Sequence, residues 1–250
     1  MKVLSLFDGI SCGMVALERA GFNVDRYVAY EIDKYAIQVS EKNYPQIEHM
    51  GDVFKGDFTQ YRGFDLLLGG SPCTYWSIAK NNRETTPDGI GGQMFMQYVR
   101  ALKESEVKWF LYENNYSIHQ NIKDFISEQL GVQPIMINSA LVSAQTRKRC
   151  YWTNIPFLGQ PKDKGILLEN VIMGGYRDSR TQEYVYDSEL QRSGIVEQFG
   201  EESAHNGCYA VKVGQQGKHI TPNNGKALCL LARDYKGFGN QQMNGVAEKL

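Results

Sequence analysis

Cys73 closes the run Leu66-Leu67-Leu68-Gly69-Gly70-Ser71-Pro72. The apolar stretch reads as a buried strand, and the glycines with the proline stop it and turn the chain. A thiol is thereby set on a loop at the carboxyl end of a strand, where open α/β sheets bind their ligands. A thiolate in that place is a candidate covalent nucleophile, although a lone cysteine is more often a buried structural one. Glu113 follows a second apolar strand, Trp109-Phe110-Leu111-Tyr112. Partial desolvation there favours the protonated acid, which suits a proton or hydrogen-bond donor. An N-cap or an ion-paired glutamate is the structural alternative. The segment Gln145-Thr146-Arg147-Lys148-Arg149, if extended, puts Gln145, Arg147 and Arg149 on one face. Two guanidiniums on one side suit a phosphate or a base carbonyl, the alternative being a solvated charge run. Lys80 and Arg83 add positive charge in the loop after Cys73.

A second group of residues has the chemistry of a nucleoside site. The first strand runs into Phe7-Asp8-Gly9-Ile10-Ser11-Cys12-Gly13. Glycines let backbone approach a ligand, and the helix that follows offers free N–H groups. Glu31 ends the second strand, where an acid accepts from both hydroxyls of a ribose. Gly-Ile-Ser-Cys-Gly is not the full dinucleotide fingerprint, so a nucleoside cofactor without a pyrophosphate fits better than a nicotinamide. Asp52, in Gly51-Asp52-Val53, is either an acceptor for an adenine amino group or a turn residue.

These residues need a frame that brings strand ends together. Strand and helix patterns alternate up to about residue 155: strands at Val3–Phe7, Tyr27–Glu31, Leu66–Gly69, Trp109–Glu113 and Ile135–Asn138. Between them lie helical patterns through Val15, Leu17 and Ala20, at Lys34–Asn43, at Met94–Glu104, and at Ile118–Leu130 before Gly131. The alternation predicts a parallel α/β sheet. After Pro156 periodicity fades, and short β-like pieces such as Tyr209–Val213 and Ala227–Ala232 stand between glycines.

The 250 residues suit one large domain or slightly more. A hydrophobic content of 42% with 22% charged residues is that of an ordinary globular chain. A net charge of −1 gives no global basic signature, so any nucleic-acid surface must be a local patch. Five widely spaced cysteines, without zinc-ligand spacing, read as reduced thiols of a cytoplasmic protein. No apolar stretch reaches the roughly 20 residues of a membrane span.

Taken in order, the motifs resemble those of the DNA (cytosine-5)-methyltransferase family, most nearly its de novo type and its phage and bacterial members. The resemblance rests on Leu4-Ser5-Leu6-Phe7-Asp8-Gly9-Ile10, Val24-Asp25-Arg26-Tyr27 with Glu31, Gly51-Asp52-Val53, and Gly69-Gly70-Ser71-Pro72-Cys73. It continues through Glu113-Asn114, the stretch Val142–Arg149, and Trp152-Thr153-Asn154-Ile155-Pro156. It implies a Rossmann-like class I methyltransferase fold: a mostly parallel sheet with helices on both faces, and a small irregular C-terminal region. The implied organisation is a catalytic and S-adenosylmethionine-binding domain over 1–157 and a partial target-recognition region over 158–250. It also implies methyl transfer from S-adenosylmethionine to C5 of a flipped-out cytosine in double-stranded DNA, with Cys73 attacking C6 and Glu113 serving N3. Arg147 and Arg149 would hold the cytosine carbonyl or a nearby phosphate. Phe7, Asp8, Gly9, Ile10, Cys12, Glu31, Ile32, Asp52, Val53 and Pro72 would form the cofactor site, with no metal. The segment from Thr74 to Gly92 resembles the mobile loop that closes on the flipped base.

The chain also departs from the family pattern. Asn115 stands where valine is usual, and Thr74 where glutamine or asparagine is frequent. The two family motifs that follow the recognition region are not found: Ile220-Thr221-Pro222 and Gly239-Asn240 echo only fragments of them. The expectation is a truncated chain, a fragment, or one half of a split enzyme whose second subunit supplies the rest. An inactive binding module and an RNA cytosine-5 methyltransferase are the alternative functions. Target sequence, and a role in restriction, protection or regulation, are left open.

Overall fold

Strand β1 (Lys2–Leu6) is hydrogen-bonded in parallel to β2 (Arg26–Tyr30) on one side and to β4 (Leu66–Gly69) on the other. The short β3 (Glu48–His49) extends the sheet beyond β2, and β5 (Trp109–Asn115) pairs in parallel with β4. Beyond β5 lie β8 (Lys148–Thr153) and then β6 (Ile135–Asn138), giving the order β3-β2-β1-β4-β5-β8-β6. The β5–β8 pair is antiparallel, so the sheet is mostly, not wholly, parallel. The computed structural model describes residues 1–78 and 82–167, with the backbone of the strands at 209–213, 219–222, 227–228 and 243–247.

The period of two along each strand divides the core into two layers. Leu4, Leu6, Val28, Tyr30, Leu67, Phe110 and Tyr112 point to one face, where α3 (Ile90–Ser105) and α4 (Gln120–Leu130) cover them with Phe95, Tyr98, Ile122 and Ile126. Val3, Tyr27, Ala29 and Leu66 point to the other, against Met14 and Leu17 of α1 (Cys12–Arg19). Helices therefore lie on both faces, as expected of a doubly wound sheet. Each fully buried aliphatic or aromatic side chain contributes about 1.5–3 kcal/mol, so these layers supply most of the sheet's stability.

The predicted helix at Lys34–Asn43 (α2) forms over those residues, capped by Asp33, whose carboxylate accepts from the Tyr35 and Ala36 amides. Gly131, at φ 70°, ends α4 in the left-handed region that glycine adopts without strain. Helix α3 begins four residues earlier than its apolar spacing suggested, and β5 runs two residues further. Two strands of this seven-stranded sheet were not anticipated. One is the two-residue β3. The other is β8, whose alternation of buried Cys150 and Trp152 with Arg149, Tyr151 and Thr153 is a strand signal hidden inside a charge cluster.

The chain divides into two compact units: residues 1–137 with 149–158, and residues 138–148 with 159–250. In the second unit, β9 (Tyr209–Val213) pairs antiparallel with both β10 (His219–Pro222) and β12 (Met243–Ala247). A separate pair joins β7 (Gln145–Thr146) to β11 (Ala227–Leu228). Tyr209–Val213 is a strand as read, and Ala227–Ala232 is one at its first two residues. Residues 229–232, and the Gly239-Asn240 echo, lie outside the described residues.

Candidate active site

The carboxyl ends of β1, β2, β4 and β5 carry the chemistry-bearing residues. After β4 the chain passes through Gly70, Ser71 and Pro72 into a 3-10 turn, Cys73–Tyr75. The Cys73 carbonyl accepts from the amides of Trp76 (3.0 Å) and Ser77 (2.8 Å), which closes the turn. Cys73 is a free thiol, neither buried nor fully exposed. Gly70 lies so close to β5 that a Cβ on it would meet the Glu113 carbonyl oxygen at 2.9 Å and Glu113 Oε2 at 3.2 Å. Only a glycine lets the Cys73 loop settle on the strand that bears Glu113.

A buried polar set holds that loop. Ser71 Oγ and the Tyr112 hydroxyl lie 2.6 Å apart, and Asn114 Nδ2 donates to the Ser71 carbonyl (3.3 Å) and to the Tyr112 hydroxyl (3.2 Å). Burial pushes the Tyr112 phenol well above its ordinary range, against the lowering effect of its Ser71 bond. Ser71, Tyr112 and Asn114 were not singled out from sequence. Their signal was parity: on β5, residues 110, 112 and 114 are buried, while 109, 111, 113 and 115 are not. Asn114 therefore turns inward to the loop and Glu113 outward from that core.

Glu113 is partly desolvated and takes the ion-paired arrangement that was the structural alternative. Its side chain is 36% exposed, and Arg149 Nε lies 2.7 Å from its Oε1. The ladder explains the pairing, because Arg149 stands opposite Asn115 and is a diagonal neighbour of Glu113 on the same face. Arg149, with a side chain 15% exposed, is thus the acid's partner. Arg147 falls in the break between β7 and β8, so 145–149 is not one continuous strand. Arg147 is exposed and belongs to the second unit, its amide donating to Asn138 Oδ1 at 3.1 Å. Asn115 keeps β5 regular, its amide donating to Asn114 Oδ1 at 2.8 Å.

The loop after β1 is held from below. Asp8 Oδ1 accepts from Ser5 Oγ and from the Tyr27 hydroxyl (2.7 Å), and its Oδ2 accepts from Ser11 Oγ. The Asp8 side chain is therefore engaged within the fold, and what it can offer a ligand is its backbone. Phe7 and Ser11 both have positive φ, 57° and 62°, so the loop keeps a strained path that these hydroxyl bonds support. Glu31 accepts from the Gly9 amide through Oε2 (2.8 Å), and from the Ile32 and Asp33 amides through Oε1 (2.8 and 2.9 Å). A carboxylate has about four acceptor positions, so one on Oε2 stays available to a hydroxyl. Among the described residues, beyond its own chain neighbours, nothing lies within 4 Å of where a Gly9 Cβ would stand. Ile10, Ile32 and Phe54 are exposed apolar side chains, with Ile32 72% exposed. Asp52 caps a short 3-10 turn by accepting from the Phe54 amide at 3.0 Å, while Val53 is buried in the core. Pro72 and Cys12 are exposed. An acid with a spare acceptor, an open glycine and bare apolar side chains fit a nucleoside with an attached amino-acid tail.

Lys80 lies outside the described residues. Arg83 Nη1 donates to the Ser117 carbonyl at 2.7 Å, so this arginine is engaged with the turn after β5. Among the described residues, no cluster of His, Cys, Asp and Glu is arranged to hold a metal, and no helix is long and apolar enough to cross a membrane.

The family model for C-5 cytosine-specific DNA methylases matches residues 1–155. The chain belongs to that family. Among curated relatives, the orphan methyltransferase M.SPRI of Bacillus phage SPR is 29% identical over 79% of this chain and 42% of its own length. The orphan methyltransferase M.Rho11sI of Bacillus phage rho11s is 37% identical over 46% of this chain and 23% of its own. The type II methyltransferase M.NgoPII of Neisseria gonorrhoeae is 32% identical over 61% and 47%. The chain thus spans less than half the length of these relatives. Of solved structures, a DNA modification methyltransferase encoded within an E. coli prophage aligns with TM-score 0.50 and 25% identity, covering 61% of this chain and 46% of that one. The DNMT2 of Spodoptera frugiperda aligns with TM-score 0.59 over 78% of this chain and 65% of its own, and at 19% identity it bears on the fold alone.

Proposed function

We propose that the chain transfers a methyl group from S-adenosylmethionine to C5 of a flipped-out cytosine in double-stranded DNA, through a covalent bond from Cys73 to C6. The observation that carries this reading is the seating of the Cys73 loop on β5 at Gly70, beside Glu113 and its Arg149 partner.

C5 of cytosine is a weak nucleophile until the ring is activated. Attack of the Cys73 thiolate on C6 forms the Sγ–C6 bond and moves the displaced electron pair toward C5. Glu113 gives a hydrogen bond or proton to N3, which neutralises the charge that addition builds on the ring. Arg149, 2.7 Å from Glu113, fixes the direction in which that carboxyl group points. Bound S-adenosylmethionine would supply the electrophilic methyl group on a sulfonium sulfur. Loss of the C5 proton to a solvent water then re-forms the double bond and expels Cys73 as the thiolate, and N3 returns to Glu113 any proton it took. The target carbon is stacked inside a duplex, so the base must leave the helix to reach Cys73.

Glu31, the Gly9 and Ile10 backbone, Phe7, Ile32, Asp52, Val53 and Pro72 are the proposed holders of the methyl donor. The spare acceptor of Glu31 takes a ribose hydroxyl. Val53, being buried, contributes through its backbone, and Asp8 acts by holding the loop. Arg147 is a proposed contact to a base carbonyl or phosphate of the DNA. A reducing cytoplasm keeps the Cys73 thiol available.

The test is duplex DNA carrying 5-fluorocytosine, whose C5 cannot release a proton, incubated with the protein and S-adenosylmethionine. A covalent protein–DNA adduct is expected with wild type and none with Cys73→Ser. Wild type that forms no adduct on DNA overturns the reading. An adduct on a parallel tRNA substrate alone would replace DNA by RNA.

A further inference from the structure

We propose that Glu84 is a positioning residue for Cys73, holding the turn that carries the thiol against the first turn of α3. The kinetic consequence rests on the methyl-transfer reading; the clasp itself does not. Helix α3 opens at Gly89, which has no side chain with which to cap it. The first amides of a helix have no partner within it and must find one elsewhere. Glu84 supplies it from five residues upstream. Its Oε1 accepts from the Ile90 amide and its Oε2 from the Gly91 amide, each at 3.1 Å. A carboxylate here also complements the positive end of the helix dipole.

The same carboxylate reaches the nucleophile's turn. Trp76 Nε1 donates to Glu84 Oε2 at 3.2 Å, and the Glu84 amide donates to the Tyr75 carbonyl at 2.9 Å. Trp76 is fully buried, and its amide donates to the Cys73 carbonyl at 3.0 Å. Two independent bonds, one from backbone and one from side chain, therefore join Glu84 to residues two and three places beyond Cys73. The neighbouring Arg83 ties the same strap to Ser117 at 2.7 Å, just past the strand that bears Glu113.

Three glycines surround the clasp. A Cβ on Gly89 would fall on the Glu84 carboxylate, one on Gly91 on the Trp76 indole nitrogen, and one on Gly92 on the Pro87 carbonyl. Their lack of side chains leaves just the room that the carboxylate and indole fill. Among the described residues of the 74–92 segment, the turn that carries Cys73 and the start of α3 are thus fastened to each other through Glu84.

The experiment compares full-length wild type with Glu84→Ala. Hydrogen exchange reads the amides of Ser77, Ile90 and Gly91. Alkylation by iodoacetamide, followed by peptide mass spectrometry, reads Cys73 against Cys12 as internal reference. Adduct formation on 5-fluorocytosine DNA is timed at saturating S-adenosylmethionine, whose affinity is measured separately. A misplacement near 1 Å can cost on the order of 100-fold in rate, so adduct formation is expected to slow about 10- to 100-fold. Donor affinity is expected to stay within about twofold, and the Cys73-to-Cys12 alkylation ratio to change several-fold, with faster exchange at the three amides. A folded Glu84→Ala protein with unchanged exchange and alkylation ratio overturns the proposal. If wild type forms no adduct, the function reading fails while exchange and alkylation still judge the clasp. Should Glu84→Ala not fold, Trp76→Phe removes the indole N–H together with its five-membered ring and keeps a six-membered aromatic ring at that buried position. It is then expected to shift the alkylation ratio in the same direction by less, and no shift counts against the proposal.

Discussion

Asp8 accepts from three hydroxyls, those of Ser5, Ser11 and Tyr27, and all three donors are almost wholly buried. Asp8→Ala leaves those donors without their acceptor. Chemical denaturation should show a loss of about 2–4 kcal/mol, the scale of removing a charged acceptor from buried partners. Because Ser11 would lose the bond supporting its left-handed backbone, affinity for S-adenosylmethionine should fall in the same variant. Glu113→Gln keeps shape and hydrogen bonding but cannot give a proton. Adduct formation should slow by about 10²- to 10⁴-fold with donor affinity unchanged. Equal rates for Gln and Glu would leave position 113 with orientation alone. Sequence pattern pointed to both residues, yet not to their directions. Asp8 sits in a glycine loop and reads as a ligand contact, whereas three hydroxyls scattered along the chain, at positions 5, 11 and 27, turn it inward.

At the level of elements, two close approaches decide how the site is assembled. Helix α1 crosses the sheet at Gly13, where a Cβ would come within 2.7 Å of the Tyr27 hydroxyl and 2.8 Å of Leu68 Cδ1. Gly13→Ala forces that helix outward and should destabilise by about 1–3 kcal/mol, the usual cost of overpacking, read as a lower denaturation midpoint. Gly70→Ala meets backbone at 2.9 Å, in the loop before the thiol. It should depress adduct formation by far more than it lowers the midpoint, since the loop can lift away while the core stays packed. The strands and helices that surround these contacts were legible because each has an uninterrupted period: Leu66–Gly69 and Lys34–Asn43 form over the predicted residues. Strand β8 was not, because Lys148 and Arg149 carry a charge signal that masks the alternation of Cys150 and Trp152. Its antiparallel pairing with β5 is a long-range event that no local window contains.

Across the whole molecule, burial sets the response to alkali. Tyr27, Tyr98, Tyr112 and Cys150 all have pKa values raised, in each case chiefly by desolvation. In the unfolded chain the thiol ionises near about 8.5 and the phenols near about 10, while in the fold they keep their protons. The unfolded state then binds fewer protons, so stability is fully present below those unfolded values and is lost as pH rises through them. Denaturation midpoints should hold through neutrality, decline above about pH 8.5, and fall faster above about pH 10. A Cys150→Ala variant should lose the first part of that decline.

Strand β5 carries two jobs on alternate residues: Tyr112 and Asn114 face the core and hold the Ser71 loop, and Glu113 faces outward to Arg149. A single inserted or deleted residue before Tyr112 would exchange the two sets, burying the acid and exposing the anchors. An insertion or deletion in this strand should therefore cost far more than one in a loop. For this chain, β5 acts as a fixed ruler, and added or lost residues are tolerable only where no such parity is enforced.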